Sequence, residues 1–90
     1  MKTLRKPQYW ENLQAIEDYI AHDNPLAASD LWLGIDEQVS LLADPNFPRR
    51  RGRAAGTLEL VVHPDYVVIL EQSPDAVTVL EVLHVAMKYP

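Results

Sequence analysis

Valine is distributed very unevenly along this chain of 90 residues. Val39 is the only valine before residue 61, and the other eight lie between Val61 and Val85. β-Branched residues favour the pleated, half-buried surface of a sheet, because branching at Cβ restricts the χ1 angle. The sequence therefore predicts that helices come first and strands second, in an α+β fold.

Two helices are predicted in the first half. Apolar residues recur every three or four positions from Pro7 to Asp23, which is typical of a helix with one buried face. The predicted buried stripe consists of Trp10, Leu13, Ile16 or Glu17, and Ile20. Asn24 can then cap the free N–H groups of a second helix, whose first turn accommodates Pro25.

The second helix is expected to end near Ala43, because Asp44 precedes a proline and is disfavoured in the α region. Its predicted buried stripe consists of Ala28, Leu31, Ile35, Val39 and Leu42. The side facing water is expected to carry mainly Asp30, Asp36 and Glu37. The short link between the helices predicts a tight helical hairpin.

Three strands are predicted in the second half, after an irregular segment from Asn46 to Gly56. Their expected ranges are Leu58–His63, Tyr66–Glu71 and Val77–Val85. Pro64-Asp65 and Ser73-Pro74-Asp75 supply turns short enough to join neighbouring antiparallel strands. The sequence thus predicts an N-terminal helical hairpin packed on a small antiparallel β-sheet, with Lys2–Arg5 as a candidate additional strand.

Charge and composition exclude several classes of protein. Eight lysines and arginines stand against 13 acidic residues, and the net charge of −5 argues against strong direct binding to nucleic acid. Without cysteine the chain forms no disulfide, and the cytoplasm is the expected location. The longest apolar run, Tyr66–Leu70, is too short to span a membrane. A chain of this length is expected to form a single domain over residues 1–90.

Contiguous catalytic and cofactor motifs are missing from the sequence. It has no nucleophile elbow, phosphate-binding glycine loop, HExxH helix or EF-hand loop, so no cofactor is expected. His22, His63 and His84 are widely separated, and no metal site is expected from them.

Half of the basic residues lie within five positions, at Arg49, Arg50, Arg51 and Arg53. Arginine binds carboxylates and phosphates through two parallel hydrogen bonds, so this cluster favours recognition of an anionic partner. The alternative is a solvated loop, or arginines that pair with surplus carboxylates of the same chain.

His84, near the end of the third strand, is followed by Lys88 and Tyr89. An imidazole, an amine and a phenol can move protons between a ribose 2′-hydroxyl and a leaving 5′-oxygen, with Arg53 holding the phosphate. The position of His84 at strand spacing favours a structural role. A catalytic set of His84, Tyr89 and Arg53 is therefore the alternative interpretation.

Several stretches of the sequence resemble a known family. They are Leu13-x-x-Ile16-x-x-Tyr19-Ile20-Ala21-x-Asp23-Asn24-Pro25-x-Ala27-Ala28, Arg51-Gly52-Arg53-x-x-Gly56-Thr57-x-Glu59-Leu60-Val61-Val62, Tyr66-Val67-Val68, Val82-Leu83-His84-x-Ala86 and Tyr89-Pro90. In this order and without gaps, they resemble the RelE/ParE toxin family of bacterial type II toxin-antitoxin systems. The resemblance covers nearly the whole chain, and the family fold of two helices on a small antiparallel sheet agrees with the predicted elements.

The resemblance implies one of two activities. RelE-like members cleave messenger RNA in the ribosome, whereas ParE-like members inhibit DNA gyrase and block replication. The Asp23-Asn24-Pro25 link, the run from Gly52 to Val62 and the Leu-His-x-Ala ending are more similar to ParE, and the acidic charge agrees. The expected function is that of a plasmid-stabilising, growth-inhibiting gyrase inhibitor, and the alternative is a ribosome-dependent mRNA endoribonuclease.

The resemblance also implies partners and contact residues. A cognate antitoxin is expected to lay an extended or helical segment into apolar grooves of the toxin and to form a hetero-oligomer with it. Residues expected to bind the target or the antitoxin are Arg49, Arg50, Arg51, Arg53, Thr57, Leu58, Glu59, Tyr66 and His84.

Leu58 departs from the family pattern, which usually has arginine after Gly-Thr. The exchange removes a charge and five hydrogen-bond donors. If that arginine serves the toxic contact, this chain is an attenuated, non-toxic member of the family. If it only holds the fold, Leu58 can be buried in its place.

Overall fold

The helices and strands follow each other as the valine distribution predicts. The computed structural model describes residues 1–86 of the chain. Its elements are β1 Lys2–Arg5, α1 Pro7–Ala21, α2 Pro25–Leu41, β2 Arg50–Arg51, β3 Leu58–His63, β4 Tyr66–Gln72 and β5 Ala76–His84. Both helices end slightly before the predicted Asp23 and Ala43, and Asn24 caps α2 as predicted, with its side chain accepting the Ala27 N–H at 3.1 Å.

The strands form one five-stranded sheet in the order β1-β5-β4-β3-β2. β3, β4 and β5 form the predicted antiparallel meander, with Leu60 opposite Val68 and Val68 opposite Val82. β1 pairs with β5 in parallel, with Lys2 opposite Ala76, since both helices intervene between these strands. The α+β fold of a helical hairpin on a sheet is confirmed, and β1 makes the sheet mixed.

A short strand lies within the segment predicted to be irregular. Arg50 and Arg51 of β2 pair antiparallel with Glu59 and Leu58 of β3. Two residues are too few to show an alternating pattern, so this strand is not visible in the sequence.

The buried stripe of α1 differs from the predicted one. Tyr9 and Leu13 are fully buried, whereas Trp10 is 39% exposed and stacks on Trp32 with ring centroids 5.8 Å apart. The prediction that Trp10 belongs to the buried stripe is therefore wrong. Tyr9 takes that place because its hydroxyl finds a partner inside the fold and donates to Asp36 Oδ1 at 2.7 Å.

Asp36 does not face water as predicted. It also accepts a hydrogen bond from Arg5 Nε at 3.0 Å, while Arg5 Nη2 donates to Ser40 Oγ at 2.8 Å. These bonds tie β1 and α1 to α2. The predicted stripe of α2 is confirmed, since its members are buried or pack against the core: Ala28, Leu31, Ile35, Val39 and Leu42.

The main core lies between the helices and one face of the sheet, with α1 against β5 and α2 against β3. Its buried side chains are Tyr9, Leu13, Ile35, Val39, Leu42, Leu60, Val68, Leu70, Val77, Val79 and Val82. Because side chains alternate along a strand, Glu59, Val67 and Ile69 lie on the opposite face, where they too are buried. In the described part of the chain, neither helix is long and apolar enough to cross a membrane.

Candidate functional site

The arginine cluster, residues 49–53, surrounds a buried carboxylate. Glu59 is only 2% exposed, and it lies directly opposite Arg50 on the neighbouring strand. Arg50 Nε donates to Glu59 Oε1 at 3.1 Å, and Arg50 Nη2 lies 3.0 Å from the same oxygen. The backbone N–H of Arg53 donates to Oε2 at 3.2 Å, with its Nε 4.0 Å away. The cluster thus neutralises a charge within the fold.

Arg49 is also bound within the fold. Its guanidinium donates to the carbonyl oxygens of Phe47, Leu42 and Asp44 and to Gln72 Oε1, at distances of 2.6 to 3.3 Å. Burial lowers the pKa of Arg49 from its ordinary value, and the nearby Asp44 partly offsets this. The hydrogen bonds of this guanidinium therefore connect the end of the helical hairpin to β4.

Arg51 differs from the other three arginines. It is exposed, and its side chain forms no ion pair or hydrogen bond with the part of the chain described, residues 1–86. It lies opposite Leu58. Leu58 is partly buried and packs against the core, as expected if the residue at this position serves the fold.

The turn that follows the cluster depends on two glycines. A Cβ on Gly52 would collide with the Thr57 hydroxyl, and Gly56 has a φ of 80°. Gly52 N–H donates to Thr57 O at 2.9 Å, and Thr57 Oγ1 donates to Ala54 O at 2.7 Å. Thr57 therefore stabilises the turn from inside.

A second cluster lies at the other end of β3. The rings of His63 and Tyr66 have centroids 5.5 Å apart, and those of Tyr66 and His84 are 5.4 Å apart and nearly perpendicular. The three rings line a groove of about 610 Å³ between α1 and the end of the sheet, here called the histidine groove. Its other lining residues are Asn12, Ala15, Ile16, Tyr19, Ile20, Leu31, Asp65 and Val82.

Each imidazole in this groove accepts a hydrogen bond from the backbone two residues further on. His63 Nδ1 accepts from the Asp65 N–H at 3.0 Å, and His84 Nδ1 accepts from the Ala86 N–H at 3.1 Å. Tyr66 lies between them. Burial, with the charge of Asp65 as the next cause, raises the pKa of Tyr66 above its ordinary value.

The two clusters are well separated. Glu59, which holds the arginines, and His63, in the groove, are four residues apart on β3, or about 13 Å. The structure therefore does not bring Arg53 together with His84, and Tyr89 lies outside the described residues. Within residues 1–86, no three His, Asp or Glu side chains are grouped in a way that could hold a metal ion.

The sequence interpretation includes His84 and Tyr66 among the site residues but misses His63, Asp65 and Asn12. A β-bulge between Val61 and His63 shifts the strand register, and this places His63 opposite Tyr66. Asn12 comes from α1, where its Oδ1 accepts the Val82 N–H at 3.1 Å. In the sequence, Asn12 is recognisable only as a polar residue on the helix face that packs against a strand.

Residues 5–89 match the family described as the ParE toxin of the type II toxin-antitoxin system, parDE. Toxin RelE2 of Caulobacter vibrioides is 37% identical over 76 residues, which cover 83% of this chain and 84% of that protein.

Solved structures share the fold. A chain of the chromosomal ParDE system from P. aeruginosa has a TM-score of 0.84 at 20% identity, and the match covers 94% of this chain and 96% of that one. A chain of the E. coli DinJ-YafQ complex has a TM-score of 0.72 at 11% identity, with 99% and 98% covered.

Proposed function

The chain belongs to the ParE toxin family of type II toxin-antitoxin systems, and we propose that it stops growth by inhibiting DNA gyrase. A cognate antitoxin would hold it inactive in a hetero-oligomer, and residues 1–90 would act as one toxin domain in the cytoplasm. The solved relatives support the antitoxin, since ParDE is a toxin-antitoxin system and DinJ-YafQ is a toxin-antitoxin complex. Stabilisation of a plasmid would follow if toxin and antitoxin are encoded together on one.

The main support for the proposal is that half of the basic side chains are bound to groups of the chain itself. Four of the eight basic side chains are bound within the fold: Arg5, Arg49, Arg50 and Arg53. Arg50 and Arg53 are exposed as well, but both pair with Glu59, so the exposed basic side chains without an ion pair among residues 1–86 are Lys2, Lys6 and Arg51. Affinity for RNA depends on several such side chains displacing counterions from phosphates. An acidic surface with so few unpaired cations favours a protein target over a messenger RNA.

The test compares two activities of the same purified protein. We expect a dose-dependent loss of gyrase supercoiling on relaxed plasmid, with messenger RNA left intact on translating ribosomes. Cleavage of the message with supercoiling unaffected would overturn the proposal.

Arg51 offers a sharper test within the same assay. It is exposed and, among the described residues, its side chain has no partner, so Arg51→Ala removes a charge without disturbing a buried bond. Lys6→Ala removes an exposed charge at the end of β1 and is the matched control. We expect Arg51→Ala to weaken gyrase inhibition and Lys6→Ala to leave it unchanged.

The histidine groove supports a second candidate, the ribosome-dependent endoribonuclease. Two imidazoles and a phenol within one groove can accept a proton from a 2′-hydroxyl and return one to the leaving 5′-oxygen. In this case His84→Ala abolishes cleavage of the message. An unchanged cleavage pattern in His84→Ala would rule the groove out as its source.

Leu58 defines the third candidate, an attenuated member of the family. Leu58→Arg restores the usual family residue beside Arg51, at a position that is only partly buried. Greater toxicity of Leu58→Arg in a growth assay would support attenuation. Equal toxicity of both forms would show that Leu58 does not weaken the toxin.

A further inference from the structure

The histidine groove presents hydrogen-bond donors of fixed identity. In a neutral imidazole one nitrogen carries the proton and the other accepts. Because Nδ1 of His63 and Nδ1 of His84 each accept a backbone N–H, the proton of each ring lies on Nε2. Both rings therefore offer an N–H donor and no free acceptor.

Two further side chains of the groove are donors. Asn12 uses its oxygen to accept the Val82 N–H, so its NH₂ group remains to donate. Tyr66 keeps its hydroxyl proton at neutral pH because the ordinary pKa of a phenol is about 10, and burial raises the pKa further. Asp65 supplies the opposing carboxylate, and its side chain is 60% exposed. Away from Asp65, the groove therefore offers donors to the hydrogen-bond acceptors of a ligand.

The remaining wall of the groove is aliphatic. It consists of Ala15, Ile16 and Ile20 from α1, Leu31 from α2 and Val82 from β5. Burial of a leucine- or isoleucine-sized group there would favour binding by removing apolar surface from water. The groove thus combines a donor-rich side with an apolar side.

The charges around the groove favour a small anion over a polyanion as the source of the acceptors. No lysine or arginine occurs between residues 7 and 48, and the half of α1 that lines the groove carries Glu17 and Asp18. A polyanion such as RNA meets repulsion along this helix. A single carboxylate can be held by two neighbouring donors, Tyr66 and His84, without bringing further negative charge.

We infer that the histidine groove binds an extended antitoxin segment, with a carboxylate against Tyr66 and His84 and a neighbouring aliphatic side chain against Ile16 and Ile20. The inference rests on the proposed antitoxin and is independent of gyrase as the target. It assigns the groove to neutralisation of the toxin, at the opposite end of β3 from the arginine cluster.

The first experiment tests the chemistry of the groove with N-acetyl-leucine, which carries one carboxylate and one isobutyl group. N-acetyl-leucinamide is its neutral control, and both are titrated to about 50 mM, a range in which millimolar binding is measurable by NMR. We expect saturable shifts of the His84 Nε2–H signal and of the Asn12 side-chain NH₂ signal beside it. The amide should bind at least about tenfold more weakly, since hydrogen bonds to a charged acceptor are the stronger ones.

Substitutions locate the binding. His84→Phe keeps a ring and removes the hydrogen-bond donor, whereas His84→Gln keeps a donor and removes the ring. If one variant disturbs the strand, the other still shows whether the donor is needed for binding. We expect His84→Phe to weaken binding of N-acetyl-leucine about tenfold, and Lys6→Ala to have no effect. Equal binding of the acid and the amide, or no binding of either, would overturn the inference. Tighter binding of inorganic phosphate would point to a phosphodiester ligand and would also overturn it.

The second experiment uses the protein encoded beside the toxin gene as the candidate antitoxin. We expect it to displace N-acetyl-leucine from the groove and to bind His84→Phe more weakly than the unchanged chain. Binding of the antitoxin without displacement would refute the assignment of the groove. Failure of the antitoxin to bind at all would count against the proposed function, and the two failures are therefore distinguishable.

Discussion

Glu59 offers the sharpest test of how the arginine cluster works. Its carboxylate is nearly fully buried and is held by Arg50 from the neighbouring strand and by the Arg53 backbone. Glu59→Gln keeps the shape of the side chain but removes the charge. It also places an NH₂ group against groups that only donate hydrogen bonds.

The expected loss lies between two limits. Removing one partner of a fully buried ion pair costs about 3 to 5 kcal/mol, whereas exposed pairs contribute about 0.2 to 1 kcal/mol. The side chains of Arg50 and Arg53 are 57% and 46% exposed, so water can solvate them once the carboxylate is gone. We therefore expect Glu59→Gln to lower the free energy of unfolding by about 1.5 kcal/mol, between these limits.

Urea denaturation measures this change. The midpoint should fall while the slope of the free energy against urea stays constant, since the surface exposed on unfolding is unchanged. Glu71→Gln is the matched control, because Glu71 is an exposed carboxylate in β4, and it should change stability by less than about 0.5 kcal/mol. Equal stabilities of Glu59→Gln and Glu71→Gln would refute the view that the arginines stabilise the fold through Glu59.

Three further predictions follow from single contacts. Burial and Asp36 raise the pKa of Tyr9, so the folded chain keeps a proton that the unfolded chain loses above about pH 10. The free energy of unfolding should therefore fall above this pH by up to about 1.4 kcal/mol per pH unit, and less steeply in Tyr9→Phe. Urea titrations from pH 8 to 11 measure this change. Gly52→Ala should lower stability by about 1 to 3 kcal/mol, because the new methyl group meets Thr57, and a thermal melt would reveal it. Asn24→Ala removes the cap of α2 and should cost about 1 kcal/mol in the same melt, and an unchanged melting temperature would contradict the role of the cap.

The elements were predictable because local patterns determine them. The valine distribution separates helices from strands, and the caps and prolines place the helix ends within a few residues. Tyr9 and Trp10 illustrate the limit, since both fit an apolar stripe with Leu13. The choice between them depends on Asp36, which lies on the other helix and is distant in sequence.

The candidate site was harder to predict because strand registers and non-local charge pairs decide it. A glutamate that alternates with leucine and valine in β3 indicates a solvent-facing side chain, yet Glu59 is buried by arginines from a preceding segment. The arginine cluster suggested, as one alternative, that these side chains pair with carboxylates of the same chain. It did not indicate that Glu59 is the partner. A one-residue bulge then moves His63 to the face of Tyr66, and no sequence pattern indicates it.

The internal role of the cluster changes how toxicity experiments on this family motif must be interpreted. Arg53, Thr57 and Glu59 match the family pattern, and each is bound within the turn and the sheet edge that they form. Loss of toxicity on replacing any of them follows from a disturbed fold as readily as from a lost contact with the target. Arg51 lies in the same motif, is exposed and has a side chain with no partner among residues 1–86. A loss of toxicity in Arg51→Ala at unchanged stability is therefore evidence for contact with the target at this edge of the sheet.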